Sequence, residues 1–326
     1  MKTIGLEEHF MMAEMFGYSA STKNVAGPGA WEDATRRLTD FLELRIPEMD
    51  EHGLDMQVLS LTSPGIQAEK DTRVAVTNAL KVNDFLKTVI DQHPTHFGGF
   101  AALPLQDPKA AADELERTVK QYGFSGGLIN AHTQGKYLDH PDFNVVWERA
   151  VTLDVPLYLH PAVGVDVPHI FKGHEELIGP MWSWGVDTGT HAMRIIFGKV
   201  FDRYPKAKLL LGHMGEGLPY ALWRMDSRWA WHNHRGIELD LGNPSEYVRR
   251  NIYITTSGVD SAPPLLSARC SRLAPSTSFL RPTTHLRKSR SRPSSCARPR
   301  SARRIARRSR TRTPRSCSTS ASEKEK

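Results

Sequence analysis

Short apolar runs alternate with longer amphipathic stretches along most of this chain. Seven of the apolar runs predict β-strands. They lie at residues 3–6, 56–61, 97–103, 126–130, 156–160, 208–212 and 252–256. The stretches between them repeat apolar residues near a spacing of 3.6, which is typical of helices that pack one face on a sheet. This alternation predicts an α/β fold with a parallel sheet covered by helices.

Helices are predicted most clearly at residues 68–92, from Pro108 onward, at 141–153 and at 190–204. Strands and helices together make seven β/α units. A closed (β/α)8 TIM barrel of about 250 residues needs one more strand, which we expect after residue 260. No period of 2 or 3.6 remains after Ser267, and Phe279 is the only aromatic residue beyond it. We therefore predict a barrel that is truncated after its seventh strand.

The charge is divided unevenly along the chain. Residues 269–326 hold 18 of the 43 Lys and Arg residues but only 2 of the 36 Asp and Glu residues, so the remainder is acidic despite the overall charge of +7. All three cysteines lie in 269–326, which leaves the rest without a disulfide framework or a cysteine-based metal site. We predict a folded domain over 1–268 and a disordered Arg/Ser/Pro-rich tail over 269–326.

Composition excludes several classes of protein. Seven Trp, eight Tyr and twelve Phe are too many for a wholly disordered chain. No apolar run approaches the roughly 18 residues of a membrane span. The first residues, MKTIGLEEHF, lack the apolar segment of a secretory signal. We expect a cytoplasmic protein with no membrane partner.

Carboxylates and histidines follow three of the predicted strands. Glu7 and His9 come just past the first strand and stand two residues apart, so their side chains point the same way on extended backbone. His160 ends the fifth strand. His213 follows the sixth strand, with Glu216 three residues later. Because this end of the strands carries the active site in barrel enzymes, the motifs predict one site there.

Each motif taken alone also has an ordinary structural explanation. A histidine at a strand end is most often a polar residue leaving the core, and we keep that interpretation for His132 and His191. A solvated charge explains Glu7 or Glu8 alone. The convergence of several such groups, together with NAHTQG at 130–135, instead predicts a metal centre. Nitrogen and oxygen ligands suit Zn²⁺ or Mn²⁺, whereas Ca²⁺ takes more carboxylates.

Six segments resemble the amidohydrolase superfamily, in its branch of metal-dependent decarboxylases that includes aminocarboxymuconate-semialdehyde decarboxylase. The segments are LEEHF at 6–10, LTSPGIQ at 61–67, INAHTQGKYLD at 129–139, LYLHPA at 157–162, GHMGEGLPYALWRMD at 212–226 and ITTSGV at 254–259. The resemblance covers about residues 2–268. It is strongest to the γ-resorcylate, 2,3-dihydroxybenzoate and 5-carboxyvanillate decarboxylases, and segment 130–139 looks most like the 5-carboxyvanillate type.

This resemblance implies a role for each matching residue. Glu7, His9 and His160 would bind one divalent ion, Zn²⁺ or Mn²⁺. His213 would be the catalytic histidine, with Glu216 as its partner. Arg45 and Arg224 match arginines that face the substrate's carboxylate or a polar substituent, a task that suits a guanidinium because it binds carboxylates in a fork. Ion pairs at the surface or between domains are the alternative for both arginines.

The implied reaction is nonoxidative loss of CO₂ from a small hydroxylated aromatic acid, in a homodimer or homotetramer. The metal would hold the carboxylate and a neighbouring phenolic oxygen while an acid protonates the ring carbon. A metal-dependent hydrolase of a lactone or amide is the enzymatic alternative. Residues 164–190 are rich in Gly, Pro and Trp and would form a lid, a subunit contact or an ordered surface segment.

The basic tail allows a non-enzymatic alternative, which is binding of nucleic acid or another acidic partner through its arginines. The tail lacks the interleaved aromatic residues of a base-stacking site, so we do not expect nucleic acid as a partner.

One residue of the family pattern is missing. The family has a further metal ligand and candidate acid, an aspartate that ends strand eight in a context such as S-D-Y-P-F, but no Asp follows Asp260 here. If the codons for residues 274–285 are read two bases later, the degeneracy of the genetic code permits the sequence A-E-H-V-L-F-A-S-D-Y-P. That sequence contains the S-D-Y-P of the family context. We predict a frameshift near residue 268, natural or from sequencing, and a chain that is poorly soluble and weak or inactive.

Overall fold

The computed structural model describes residues 3–19, 23, 26–27, 29–164, 166, 168–232 and 234–259. Five predictions lie outside these residues: the eighth strand, the missing aspartate, the disordered tail, the domain boundary at 268 and the frameshift.

The strands lie where the sequence predicts them and pair in parallel. They are β1 (Ile4–Phe10), β2 (Met56–Leu61), β3 (Phe97–Gly99), β4 (Ala101–Ala102), β5 (Gly127–Asn130), β6 (Leu157–His160), β7 (Leu209–Leu211) and β8 (Ile252–Ile254). Their order is β1-β2-β3 in one sheet and β4-β5-β6-β7-β8 in the other. The strands therefore follow one another in chain order, as in the wall of a (β/α)8 barrel.

One extended segment joins the two sheets, so β3 and β4 occupy a single position in the wall. The N–H of Phe100 donates to the carbonyl of Leu59 in β2, and the N–H of Ala101 donates to the carbonyl of Gly126 just before β5. The described wall therefore has the seven positions that the sequence predicts. Within the described residues, β1 and β8 are the two edges of this wall.

Strand β1 is longer than predicted and is irregular. The expectation that Glu7 and His9 come after the strand is wrong, because both lie within it. Its pairing with β2 jumps from Gly5 opposite Gln57 to Glu8 opposite Leu59, which is a β-bulge. Extra residues at a bulge bend a strand and redirect its side chains. Here the register shift falls between Gly5 and Glu8, the stretch that contains Glu7.

Helices cover the outside of the wall. The α-helices are α1 (Ala30–Thr39), α2 (Arg45–His52), α3 (Thr72–Gln92), α4 (Pro108–Arg117), α5 (Asn144–Thr152), α6 (Ser183–Phe197), α7 (Val200–Arg203), α8 (Leu218–Trp229) and α9 (Pro244–Asn251). Shorter 3₁₀ turns lie at Ala13–Ser19, Gly65–Ala68, Pro141–Phe143, His169–Phe171 and Glu175–Leu177, and a π-turn at Thr118–Tyr122.

Two helix starts differ from the sequence prediction. Helix α3 begins at Thr72 rather than at residue 68, because the Asp71 side chain accepts hydrogen bonds from the N–H groups of Arg73 and Val74 and caps the helix. Helix α6 begins at Ser183, seven residues before the predicted start, inside the segment predicted as a lid or contact.

The wall separates two apolar cores. The larger core lies between strands and helices and includes Leu59, Trp147 and Phe201. The smaller one fills the inside of the wall. Its buried members are Val58, Phe100, Leu128, Tyr158 and Leu210, with Ile4 and Leu6 packed against them. The inside of the wall is therefore a packed core. Among the described residues, no helix has the length and apolar character needed to cross a membrane.

Candidate metal centre

The three residues expected to bind metal meet at the carboxyl end of the strands. Glu7 and His9 come from β1, and His160 is the last residue of β6. The Nε2 atoms of His9 and His160 are 3.1 Å apart, and Glu7 Oε1 lies 3.4 Å from His160 Nε2. One donor atom from each residue lies within 4.8 Å of the others. Two imidazoles and one carboxylate form a donor set that fits Zn²⁺ or Mn²⁺.

Neighbouring side chains orient both imidazoles. His160 Nδ1 lies 2.9 Å from Asn130 Oδ1, and His9 Nδ1 lies 3.0 Å from Ser60 Oγ. Because an amide oxygen only accepts, His160 donates through Nδ1 to Asn130. Metal-binding histidines characteristically donate their other ring N–H in this way. From sequence, Asn130 was a candidate only as the first residue of NAHTQG, and Ser60 was not a candidate. The one feature that could have drawn attention to Ser60 is that it is a polar residue within an apolar strand.

The charge states of the cluster suit a cation. Burial, with a smaller effect from His160, lowers the pKa of His9 to about 3 and keeps its imidazole neutral. Burial alone would raise the pKa of Glu7. The positive charge of His213 and hydrogen bonds from His160 and His213 outweigh burial and hold that pKa well below its usual range. The cluster therefore offers an anionic oxygen next to a neutral nitrogen.

His213 and Glu216 form a pair beside this cluster. His213 Nδ1 lies 2.6 Å from Glu216 Oε1, and His213 Nε2 lies 2.9 Å from Glu7 Oε1. Burial lowers the pKa of His213, but Glu7 and Glu216 more than offset it and raise that pKa to about 11. Burial raises the pKa of Glu216, whose side chain is only 4% exposed. His213 therefore carries a proton on each ring nitrogen, and it directs one of them towards Glu7.

The backbone of this pair is strained. His213, Met214 and Glu216 have φ values of 49°, 59° and 52°, which lie in the left-handed region that residues other than glycine seldom adopt. Such conformations cost about 1–3 kcal/mol each and persist where surrounding contacts hold them. The Met214 N–H donates to the Thr255 carbonyl at 2.9 Å, and the His213 N–H donates to Ser257 Oγ at 3.1 Å.

Hydroxyl groups surround the second oxygen of Glu7. Tyr158 and Ser257 both donate to Glu7 Oε2. Thr255 Oγ1 lies 2.8 Å from Ser257 Oγ. These hydroxyl groups are not among the candidate residues predicted from sequence. A signal existed for Tyr158, because it precedes His160 by two positions on one strand and so shares its face.

Arg45 lies on the other side of β1. The expected contact with substrate is not what the structure shows, since Arg45 is 2% exposed in the wall behind the site. It donates to the carbonyls of His9 at 2.6 Å and Asp40 at 3.1 Å, and to Gln57 Oε1 at 3.0 Å. Burial lowers its pKa to about 10, partly offset by the charge of Glu8. Arg45 therefore supports the backbone that carries His9.

Arg224 is exposed on α8. Among the described contacts, none joins its side chain to Glu7, His9 or His160, and its contact with substrate stays a prediction.

His191 fits the structural interpretation given to it from sequence. It is 1% exposed, and its Nε2 accepts the N–H of Leu138 at 2.8 Å. Burial lowers its pKa to about 3. Burial also lowers the pKa of His132, whose Nδ1 accepts the N–H of Gly135 at 3.2 Å.

Comparison with known proteins gives a consistent set of relatives. The family described as Amidohydrolase matches residues 12–266. The γ-resorcylate decarboxylase of Polaromonas sp. strain JS666 is 42% identical over 262 residues, which are 78% of this chain and 79% of the relative.

Two solved structures share the fold. A dihydroxybenzoic acid decarboxylase from Polaromonas sp. JS666, with bound manganese and the inhibitor 2-nitroresorcinol, has a TM-score of 0.75 and 40% identity over 83% of each chain. A 5-carboxyvanillate decarboxylase from Novosphingobium aromaticivorans, complexed with manganese and 4-hydroxy-3-methoxy-5-nitrobenzoic acid, has a TM-score of 0.75 and 32% identity over 83% of each chain.

Proposed function

Because the chain belongs to the amidohydrolase family, we propose that it is a metal-dependent nonoxidative decarboxylase of a hydroxylated aromatic acid. The observation that carries this proposal is the meeting of Glu7, His9 and His160 beside the hydrogen-bonded pair of His213 and Glu216. The decarboxylase relatives support the same reaction, since they match the chain over 79% of their length at about 40% identity. They do not favour the alternative of lactone or amide hydrolysis.

Glu7, His9 and His160 are the proposed ligands of one divalent ion, Mn²⁺ or Zn²⁺. Their donor atoms lie on one side of the cluster, and the other nitrogens of both imidazoles are engaged by Ser60 and Asn130. When bound, such an ion polarises the oxygen atoms of an acidic substrate and stabilises negative charge that develops on them. The two solved relatives described above, both with bound manganese, support Mn²⁺.

The reaction is balanced without an oxidant. The ring carbon that bears the carboxylate gains one proton, its bond to the carboxylate carbon breaks, and CO₂ leaves. His213 presents an Nε2–H towards the cluster, while Glu216 accepts its Nδ1–H and fixes the ring. In the chain without an ion Glu7 Oε1 accepts this hydrogen, so the donor would stabilise a substrate oxygen where that oxygen replaces Glu7 as its acceptor. The aspartate expected to protonate the ring carbon falls outside the described residues.

Within this class, a dihydroxybenzoate with hydroxyl groups next to the carboxylate is the proposed substrate. Identity is 38–42% to the relatives named γ-resorcylate decarboxylase, 36% to the relative named decarboxylase orsB and 32% to the 5-carboxyvanillate decarboxylase. The likeness of segment 130–139 to the 5-carboxyvanillate type makes that acid the first comparison compound.

Association between copies of the chain is also proposed. Trp182, Trp223 and Trp231 are 59%, 76% and 81% exposed in the single chain. Large apolar side chains left in water favour contact with another surface. Light scattering of the purified protein at several concentrations tests this, and a monomer at all of them contradicts it.

The cytoplasm stays the predicted compartment.

The frameshift near residue 268 remains part of the proposal. The family match ends at residue 266, and the Polaromonas relative is matched over 79% of its length, which leaves about a fifth unmatched. This agrees with loss of the family's reading frame after the seventh strand. Repeated sequencing of gene and transcript decides it, and an unbroken frame in clean reads removes the hypothesis.

One experiment tests the function. Metal content and CO₂ release are measured for the chain as written and for a version with the frame restored after residue 268. The panel contains 2,6-dihydroxybenzoate, 5-carboxyvanillate and a lactone. We expect metal binding and CO₂ release from 2,6-dihydroxybenzoate by the restored protein, and reduced turnover by the chain as written. Hydrolysis of the lactone without CO₂ release from either acid overturns the proposal.

A further inference from the structure

A set of hydroxyl groups connects the metal cluster to the strained His213 segment. The set, here called the hydroxyl clamp, consists of Tyr158 on β6 and of Thr255 and Ser257, which follow β8. Glu7 Oε2 accepts hydrogen bonds from Tyr158 and Ser257. The clamp therefore joins a residue on the first strand of the wall to residues that follow the last described one.

The direction of the hydrogen bonds to Glu7 follows from its charge. An ionised carboxylate only accepts, so Tyr158 and Ser257 both donate to it. The single hydroxyl proton of Ser257 is then used, and the His213 N–H donates to the Ser257 oxygen at 3.1 Å. Thr255 Oγ1 lies 2.8 Å from Ser257 Oγ and 3.2 Å from Tyr158 OH, and its one hydroxyl proton can serve only one of them at a time.

We propose that Ser257 is a positioning residue that turns Glu7 Oε1 towards the metal-binding nitrogens and holds the His213 backbone beside it. Glu7 Oε2 is occupied by the two hydroxyl donors, so Oε1 is the oxygen that faces His160 at 3.4 Å and His213 at 2.9 Å. The same Ser257 oxygen accepts the N–H of a residue whose φ is 49°. One side chain therefore positions a ligand and the histidine next to it.

The position also matters for the wall. Within the described residues β1 and β8 are sheet edges without a ladder between them. The hydrogen bond from Ser257 to Glu7 spans these edges at the end that carries the site. Among the described residues, Ser257 thus supplies a specific contact between two strands that form no backbone ladder with each other.

Gly212 gives independent support for a closely packed clamp. A Cβ atom built on Gly212 would approach Glu7 Oε2 closely and lie 2.9 Å from Ser257 Oγ and 3.0 Å from Tyr158 OH. Its φ of −71° is ordinary, so close approach of these oxygens, and not backbone strain, requires glycine here. Any side chain at 212 would separate the oxygens that the clamp brings together.

The first test measures metal affinity, and it rests on the proposed function. Ser257→Ala removes the hydroxyl, and we expect the Kd for Mn²⁺ to rise about 10–100-fold, the usual effect of losing a group that orients a metal ligand. Ser257→Thr keeps a hydroxyl and should restore most of the affinity. Ser125→Ala is the matched control, since Ser125 is exposed near the start of β5, at the opposite end of the strands.

A second test needs no metal and no activity. Hydrogen exchange of the His213 amide reports its bond to Ser257, and we expect it to quicken roughly tenfold in Ser257→Ala, as loss of one hydrogen bond permits. Ser257→Thr and Ser125→Ala should leave it unchanged. A purely structural role would lower the unfolding temperature without these local effects.

The outcomes separate the two proposals. If the unsubstituted chain binds no Mn²⁺, the metal part of the proposed function fails, and exchange of the His213 amide decides the inference alone. If it binds Mn²⁺ and Ser257→Ala changes neither affinity nor exchange, the inference is overturned. Tyr158→Phe supplies a further check. Because both donors act on one oxygen, its effect on affinity should not add to that of Ser257→Ala.

Discussion

The interior of the wall has a lower half, filled by the smaller apolar core, and an upper half at the carboxyl ends of the strands, which holds the metal cluster. The same strands build both halves, but the kinds of side chain and of contact differ. The lower half is filled by side chains such as Leu6, Phe100 and Leu128, which pack without direction. In the upper half, Glu7 and His160 lie among directed hydrogen bonds. The change occurs within one residue on β1, between Leu6 and Glu7.

This difference shows what a buried charge requires. Apolar side chains need only volume and exclusion of water, so their exact neighbours are interchangeable within limits. Glu7 is 6% exposed and needs a partner for each oxygen, because an unpaired buried charge is costly. The upper half is therefore specified residue by residue, whereas the lower half is specified by size and polarity.

The largest expected effect is at Glu7. Glu7→Gln removes the charge of the proposed anionic ligand, and we expect Mn²⁺ affinity to fall by roughly 1000-fold or more, beyond the 10–100-fold effect of an orienting group. CO₂ release should be lost with it. Isothermal titration with Mn²⁺ measures the change.

The neighbouring Glu8→Gln is the matched control for that substitution. Glu8 is also buried, but its charge acts on Arg45 behind β1. It should lower stability and leave the affinity of the folded protein unchanged. An equal loss of Mn²⁺ affinity in both variants would contradict the prediction that only the Glu7 face of β1 binds the metal.

Next in size is a cavity in the lower half. Leu128→Ala should lower the free energy of unfolding by about 2–5 kcal/mol, because Leu128 is 3% exposed inside the wall. Mn²⁺ affinity of the folded protein should stay within a few-fold of the parent. Urea unfolding and metal titration check the two quantities, and a large loss of affinity would show that the halves are coupled.

A smaller effect is expected at Asn130, which orients one ligand. Asn130→Ala removes the acceptor for His160 Nδ1 and should weaken Mn²⁺ binding about 10–100-fold. Asn130→Asp retains an acceptor at the same place and should keep most of the affinity. Equal weakening in both would assign the effect to packing.

At neutral pH the smallest effect on the site is expected from His191, a buried histidine outside the cluster whose effect appears as a pH dependence of stability. Its pKa of about 3 lies below the usual 6.5, so the unfolded chain binds a proton between these values and the folded chain does not. Stability from this group is present above pH 6.5 and is lost as the pH falls towards 3, by about 1.4 kcal/mol per unit within that window.

The experiment compares the metal-free parent with metal-free His191→Gln. His9 also titrates near pH 3, but it does so in both proteins, so its contribution cancels in the difference. The parent's free energy of unfolding should fall more steeply with decreasing pH. Parallel curves would contradict the assignment.

Periodicity and strand-end motifs predicted much of the fold and several of the side chains that the structure brings together. Charged groups at the ends of apolar strands are conspicuous in sequence, and those brought together are Glu7, His9, His160, His213 and Glu216. Ser60, Tyr158 and Ser257 were not identified as site residues, since a hydroxyl within or after an apolar strand is ordinary in sequence. Arg45 is the reverse case, a residue that was a candidate from sequence and that the structure places away from the cluster. Its guanidinium matched a substrate contact, yet it lies behind β1 and donates to the His9 carbonyl.

The sequence by itself determined the order of elements and the end of the strands where chemistry lies, because both depend on local spacing of apolar and polar residues. Tertiary structure alone decided which oxygen of Glu7 faces His160, which side of β1 receives Arg45, and which hydroxyls meet across the wall. These depend on a bulge in β1 and on contacts between residues up to 250 positions apart. No local pattern encodes such contacts, because each arises only when the strands are assembled.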